Sequence, residues 1–528
     1  MNLEKKIEEK TTFFELLTSS QINSNRISLQ YSDEKQDFLN HILSLKNNLL
    51  FSDVSIQKFV LYVMSKNRRL QDNVALTVSR LIANQLSLPL IILETINFNE
   101  SMACPRFHAF VVEGAFEKLE SCKNYIFAPF GKQDENTELF KHLFSNASLI
   151  VSDWSPLQFE KIDVFELQAK FGNRNSKIPV LSIDDNGIVP LISHIKKEYA
   201  ARFIRPKLAN ALANSLNELR AIEKVDKEFI FKSFSIEPEL LTKAYTFISK
   251  KTAVQLSEMC TSVLKFYFPN SPPDDRFLTG GENQALELFH YFLTHHLRQY
   301  HLNRQHPDTD CTSKMSSYLR FGMIHCRTIL KILSDSENRD NPSQFITDSA
   351  AHKYTDELVT WRELGLNMCR FALEEKIELN SLEILPQWAR KTLEDFKPDT
   401  NEIISLEDLE NSLSPNLVWN AANNELKRTG IMHNAVRMLW GKGIIRWSAG
   451  PHDALLKMEY LNHKYALDGR DSNSYVGFLW CLGKFDRPWP PARQPFGLVR
   501  SMSFDIARKK LKIDNYLKKY GTQKNEKK

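Results

Sequence analysis

The texture of the chain changes once, near residue 190, and that change limits the folds open to it. Before it, short apolar runs recur at helix-length intervals: Gln57–Met64, Pro89–Leu93, Tyr125–Pro129, Ser148–Asp153 and Ile178–Ile183. Leu76–Leu86, between the first two, reads as an amphipathic helix. Strands spaced by helix-length segments predict an α/β domain with a parallel, Rossmann-like sheet over 56–190. After it come helix-period segments with few β-branched runs, broken at Asn270–Asp275, Gly280–Gly281, Arg304–Asp310 and Asn338–Ser343. They predict an all-α domain over 236–515, reached through an interdomain linker at 191–235. Residues 1–55, polar with mixed Lys and Glu, read as a helical N-terminal extension, and 516–528 as a flexible basic tail.

Composition removes several classes. With 42% hydrophobic and 25% charged residues over 528 positions, the chain is neither disordered, collagen-like nor a disulfide scaffold. Its longest apolar stretch, Leu86–Leu93, contains Pro89 and is far short of the ~18 residues a membrane span needs. The charged start MNLEKKIEEK is no secretory signal. Seven scattered cysteines without CxxC spacing read as free thiols in a reducing cytoplasm. A net charge of +5 does not announce a nucleic-acid binder, although it averages over any local basic surface. The adjoining His295 and His296 point to different helix faces and make a poor metal site, so no metal is expected. Nothing points to a membrane or an obligate protein partner, and a monomer is expected.

Tryptophan is unevenly spread. Seven of eight (361, 388, 419, 440, 447, 480, 489) lie between 361 and 489. Trp440 and Trp447 are two helical turns apart, a rise of about 10.5 Å on one face. Trp419 begins the preceding helix, which ends at Thr429–Gly430. Three indoles on two packed helices can form an electron-hopping chain, with Trp440 as its middle member in sequence. Core packing explains the spacing equally well, so spacing alone decides nothing.

The surrounding words decide it. Residues 419–447 read WNAANNELKRTGIMHNAVRMLWGKGIIRW and 467–480 read LDGRDSNSYVGFLW. Upstream lie TSKMSSYLRFG at 312–322, DELVTWREL at 356–364, VLYVMSKNRRLQDNVAL at 60–76, SDWSPLQ at 152–158 and KKEYAARFIRPKL at 196–208. Together, in order over about 57–505, they resemble the photolyase/cryptochrome flavoproteins, specifically the class II cyclobutane pyrimidine dimer photolyases.

The resemblance implies an α/β domain followed by a helical domain that holds FAD. It also implies light-driven splitting of a cyclobutane dimer flipped out of UV-damaged DNA. A second, antenna chromophore of deazaflavin type is an open possibility that no motif requires. By the same resemblance Tyr300, Thr312, Ser313, Met315 and Ser316 meet the FAD phosphates, and Arg437 with Asp468 forms an ion pair beside the isoalloxazine. Asn462 faces flavin N5, and an amide can serve that nitrogen as donor or acceptor. Glu357, Trp361 and Trp480 form the substrate pocket, and Trp419, Trp440 and Trp447 the electron-transfer set. Arg304 enters the gap left by the flipped lesion with Gln305 beside it, while Lys484 and Arg487 touch phosphates.

Several words depart from the family pattern. Ser317 and Arg320 replace a Pro and a His, and Gln305 replaces an Asn. Asn434 stands where class II chains usually have Gly and adds a possible flavin contact; Asp471–Ser472–Asn473–Ser474–Tyr475 replaces DPNGY. Rival readings are a blue-light photoreceptor of the same fold, a (6-4) photoproduct enzyme, and a DNA-binding module that lost its flavin. The short segment after the family core and the retained Glu357, Trp361 and Trp480 favour repair.

Overall fold

The computed structural model describes residues 21–29, 58–99, 104–131, 136–157, 164–172, 178–236, 278–336, 351–395 and 402–521, with a few more between 238 and 265 and at 398. Among them, one sheet holds β1 (Ile27–Leu29), β2 (Phe59–Met64), β3 (Leu90–Glu94), β4 (Tyr125–Phe127), β5 (Ala147–Trp154), β6 (Val180–Asp184) and β7 (Tyr245–Thr246). Their spatial order is β1-β6-β5-β2-β3-β4-β7. The five inner strands are parallel, and both edges run antiparallel to their neighbours.

The apolar runs become strands because both sheet faces are covered, as in parallel sheets generally. Along β2 the side chains alternate. Val60, Tyr62 and Met64 enter a core that continues into the helical region. Phe59, Leu61 and Val63 enter a second core under helices that include α3 and α4. In chain order the helices here are α1 (Val74–Leu86), α2 (Pro105–Ser121), α3 (Thr137–Asn146), α4 (Val164–Phe171) and α5 (Ala201–Glu228). α1 starts where Asn73 accepts from the Leu76 N–H, and it stops at left-handed Ser87.

Three expectations need correction. β1 lies in the stretch read as helical, and the rest of 1–55 outside 21–29 is beyond the described residues. β7 lies in the region read as all-α. Both strands are two or three residues long and form by pairing with a neighbour, so neither leaves a sequence period. The tail expected from 516 is helical as far as Tyr520, because Tyr516 and Tyr520 are buried; residues 522–528 lie outside the described set. The 191–235 stretch is largely α5.

Where the two regions meet, the chain seals its own switch point. At the end of β5, Asp153 accepts from the N–H groups of Ser65, Lys66 and Asn67, at 2.8–2.9 Å, in the loop after β2. That loop reaches the helical region: Lys66 donates to the Arg320 carbonyl and Arg69 to that of Gly322. Beside it, Arg327 of the helical region pairs with Asp72 at 2.7 Å, Asp185 at 2.6 Å and Glu218 of α5 at 3.2 Å. Arg26 pairs with Glu218, and Arg69 with Asp185. All six are buried. Removing any one would leave a buried charge uncompensated, a cost of about 3–5 kcal/mol.

Candidate functional site

The helices that build the site follow as α6 (Glu282–His295), α7 (Leu297–Asn303), α8 (Met315–Arg320), α9 (Cys326–Ser336), α10 (Trp361–Glu375), α11 (Leu417–Thr429), α12 (Asn434–Arg446), α13 (Pro451–Tyr465) and α14 (Ser472–Cys481). A cleft among them is lined by Tyr300, Ser313, Met315, Ser316, Arg437 and Asp468, together with Glu357. Thr312, half-buried, and Asn434, exposed at the start of α12, lie outside that lining. Tyr354 donates to the Ser313 hydroxyl at 3.1 Å, leaving the Ser313 O–H free to donate onward. Burial, with the Glu357 charge nearby, pushes the Tyr300 phenol up to about 12, so it is a neutral donor at neutral pH.

Arg437 reaches both oxygens of Asp468, at 3.0 and 3.1 Å. An adjoining pocket is lined by Arg437, Trp440, Asn462 and Ser474. Asn462 is buried, and its Nδ2 donates to the Ser474 hydroxyl at 3.2 Å; that hydroxyl donates to the Asp468 carbonyl at 3.2 Å. Ser474 is one of the departures from the family pattern, and it ties two expected flavin residues together. Asn462 Nδ2 also lies 3.5 Å from His463 Nδ1, so both its N–H groups face protein and Oδ1 is the group left to accept from a ligand N–H. The donor set fits FAD: hydroxyls for phosphates, a fixed cation–carboxylate pair, and an amide acceptor beside them.

The tryptophan row runs in a different order from the sequence. Trp419 stacks on Trp440 with ring centroids 6.3 Å apart and planes 5° apart. Trp447 meets Trp419 edge-on at 5.5 Å. Trp419 is therefore the middle member, and the expectation for Trp440 is corrected: Trp440 is the member at the pocket adjoining the cleft. Helical spacing puts 440 and 447 on one face but says nothing about which ring inserts between them. Gly443 makes the insertion possible, because a Cβ there would stand 2.6 Å from Trp419 and 2.9 Å from Trp447. Trp419 Nε1 donates to the Trp440 carbonyl at 2.8 Å, and Trp440 Nε1 to Asn423 Oδ1 at 3.1 Å.

Glu357 sits in a π-helical turn, Asp356–Thr360, ahead of α10. The helix that placed Glu357 and Trp361 on one face by ordinary spacing is thus locally wider, a feature frequent at functional sites. Arg205 of α5 fixes the turn through two hydrogen bonds to Asp356, at 2.6 and 2.9 Å. Glu357 pairs with Arg304 at 3.1 Å and Lys353 at 2.6 Å. Trp361 and Trp480 are half-buried, and Gln305 is exposed. Arg487 is exposed, with its guanidinium 4.4 Å from the Trp489 ring centre.

Lys484 is a correction. It is buried, and its Nζ donates to the Ile384 carbonyl at 2.6 Å, out of reach of a phosphate. Burial brings its amine down to about 8. A Lys in a loop looks exposed in sequence, and only the fold reveals the carbonyl waiting for it.

No protein-family model matches this chain. The deoxyribodipyrimidine photo-lyase of Methanothermobacter thermautotrophicus is 30% identical over 461 residues, covering 87% of this chain and 94% of that protein. The chain belongs to the photolyase family. The Arabidopsis thaliana deoxyribodipyrimidine photo-lyase is 29% identical over 469 residues, covering 87% and 88%. Two crystal structures share the fold. One is a class III photolyase from Agrobacterium tumefaciens (TM-score 0.58, 16% identity, 89% of this chain and 88% of that one). The other is a Sulfolobus tokodaii photolyase with two FAD molecules (TM-score 0.54, 13% identity, 88% and 90%).

Two residues of this photolyase-family chain escaped the sequence reading. Arg500 pairs with Asp486 at 3.0 Å and lies 5.6 Å from the Trp480 ring centre and 4.0 Å from that of Trp489. Lys442, buried on α12, lies 5.4 Å from the Trp480 centre and donates to the Cys481 carbonyl. The one available signal was Trp489 itself, a large aromatic in a proline-rich loop.

Proposed function

We propose that this chain is a light-dependent DNA repair enzyme, a class II deoxyribodipyrimidine photolyase that splits cyclobutane pyrimidine dimers in UV-damaged DNA. One observation carries the reading: the Arg437–Asp468 pair, the phosphate-side hydroxyls and Glu357 line a single cleft, and Trp440 borders the pocket that shares Arg437 and Ser474 with it. Its relatives' names and the 419–447 and 467–480 words support it. Bound and fully reduced, FAD would supply a light-excited one-electron donor.

The chain's own residues do the rest. Tyr300, Ser313 and Ser316 donate to the phosphates, with Met315 packed beside them. Arg437, locked by Asp468, holds a positive charge in place beside the ring system. Asn462, held by Ser474, offers a carbonyl to a ring N–H. Trp447, Trp419 and Trp440 form the row along which electrons would reach a bound flavin. Trp361 and Trp480 wall the flipped dimer, and Glu357 holds Lys353 as a donor toward its carbonyls and Arg304 at the gap. Bound FAD would lend the electron that opens the two carbon–carbon bonds and recover it, so the splitting would carry no net redox change. Arg304 offsets part of the cost of flipping by filling the gap, and Arg487 meets phosphate.

The test is incubation of the reduced, FAD-loaded protein with a dimer-containing oligonucleotide, with and without blue light. Restoration of the pyrimidines only in the light is expected. Photoreduction without repair would instead indicate a photoreceptor, and repair of the (6-4) lesion alone would indicate that substrate. The absorption spectrum of the purified protein decides whether a deazaflavin-type chromophore accompanies FAD.

A further inference from the structure

With Lys484 buried, the expected phosphate contacts reduce to Arg487 and the Arg304 loop. The end of the chain supplies others. Helix α15 (Phe504–Lys510) buries none of its residues, yet both its ends are anchored. At its start the Ser503 side chain accepts from the Ile506 N–H, and the Phe504 ring stacks on Trp447 with centroids 6.1 Å apart. Beyond its end, the Lys512 N–H donates to His306 Nδ1 at 3.3 Å, and the Asp308 N–H to the Lys512 carbonyl at 3.0 Å. Asp308 also accepts from the N–H groups of Asn515 at 3.1 Å and Tyr516 at 2.7 Å, at the start of α16 (Asp514–Tyr520). The segment is thus bonded to the loop that leaves Arg304.

Arg508, Lys509, Lys510 and Lys512 lie between these anchors, all exposed. None of the four is ion-paired among the described residues. Among the described residues some other surface lysines are paired, Lys141 with Glu138 and Lys331 with Glu223, and others such as Lys224 and Lys227 are not, but those do not stand four to a five-residue run. Cations in a last turn complement the helix dipole, which accounts for three of the charges. It does not account for Lys512, which lies past the helix end, nor for the absence of an ion pair to Asp505 or Asp514, the acidic residues that flank the run. Four cations within five residues, on an anchored backbone and without ion pairs, match the charge density of a nucleic-acid backbone, where phosphates follow one another every few ångström. The run carries no aromatic and no amide side chain to read a base.

We propose that Arg508–Lys512 is a phosphate-binding surface that grips the DNA duplex beside the Arg304 loop, without reading sequence. The identity of the polyanion as damaged duplex rests on the repair reading; the surface itself does not. The test uses the FAD-loaded full chain and the K509A/K510A/K512A variant. Binding is measured to a duplex carrying one cyclobutane dimer and to the same duplex undamaged, over a series of salt concentrations. The slope of log affinity against log salt should shrink by about 0.9 per lost phosphate contact, up to about 2.7. Both duplexes should weaken by the same factor, with the preference for the dimer unchanged.

Lys141→Ala, which removes a paired lysine on α3, should leave the slope alone. Flavin content and thermal midpoint verify that the triple variant is folded, and Lys512→Gln alone gives a milder version that should lose about one contact's slope. An unchanged slope in the triple variant overturns the surface. So does a loss confined to the damaged duplex, or binding of the segment to anionic vesicles with none to DNA. If the wild type shows no preference for the dimer while the variant still loses slope, the repair reading fails and the surface stands.

Discussion

Trp419, Trp440 and Trp447 are at most 3% exposed, whereas the side chains of Arg304 and Glu357 remain 16% and 25% exposed. The same helical region therefore holds two sites of opposite character. The tryptophan row is dry and fixed by indole–carbonyl and indole–amide hydrogen bonds, with Gly443 admitting ring contact. The mouth is held by ion pairs that a substrate can rearrange. A relay depends on unchanging contact between rings, and a mouth depends on groups that water, and hence DNA, can reach. Lys442 stands between them, on the helix that carries Trp440 and against the ring of Trp480.

The largest effect should come from Trp419→Phe. As the middle ring, it divides the row into two disconnected indoles, so steady photoreduction of the bound flavin should be lost. Chemically pre-reduced protein should still repair and still bind DNA. The change also removes the second donor of the Trp440 carbonyl, which keeps its helical one, at about 1 kcal/mol of stability. Photoreduction at the wild-type rate would remove Trp419 from the relay.

Acid should loosen the dry side first. His433 caps α12, accepting the Ala435 N–H on Nδ1 at 3.2 Å, and a protonated ring cannot accept there. Burial, then Lys314, brings its pKa down from 6.5 to about 4. Between those values the unfolded chain binds more protons than the folded one. Stability is therefore complete above about 6.5 and falls as pH drops toward 4, by roughly 3 kcal/mol from this group. Urea unfolding at pH 7 and pH 5 measures it. His433→Asn keeps a capping acceptor without the titration and should shrink the difference by this group's share, while the buried His325 and His463, also held below the usual histidine range, keep the rest; identical pH dependence in both proteins would rule the cap out as a source.

Gly443→Ala probes the same side more gently. Its methyl would crowd two buried indoles, an overpacking cost of about 1–3 kcal/mol, against at most ~1 kcal/mol regained in helix propensity. A lowered thermal midpoint with slower photoreduction is expected, and a raised midpoint would show that the row has slack.

What the sequence made legible follows the same division. Apolar runs such as Phe59–Met64 are buried on both faces and declare themselves as strands. The motif words singled out Arg437, Asp468 and Asn462, and the structure brings the three to two adjoining pockets. The order of the tryptophans was hidden, since it depends on which ring enters beside Gly443 from another helix. The Asp356–Thr360 π-turn was hidden too, because a four-residue spacing fits either helix type. Lys484 misled because its partner, the Ile384 carbonyl, is 100 residues away in sequence. Long-range partners of single side chains, and edges as short as β7, leave no periodic trace.

The smallest effect belongs to the mouth, and Glu357→Gln measures it. The carboxylate pairs with Arg304 and Lys353, and all three side chains are partly exposed. Partly exposed pairs are worth little, so the change should cost no more than about 1 kcal/mol in stability, and the fold and flavin content should survive. Function should respond more specifically than stability. Glutamine keeps the size, but it no longer holds Lys353 toward the dimer and Arg304 at the gap. Repair yield per photon, with the flavin pre-reduced to bypass the tryptophan row, should fall several-fold. Because the ion pairs are screened, raising the salt should narrow the gap between variant and wild type. An equal yield at every salt concentration would make Glu357 a surface residue with no share in the mouth. A yield loss accompanied by slower photoreduction would join the two sites that the structure keeps apart.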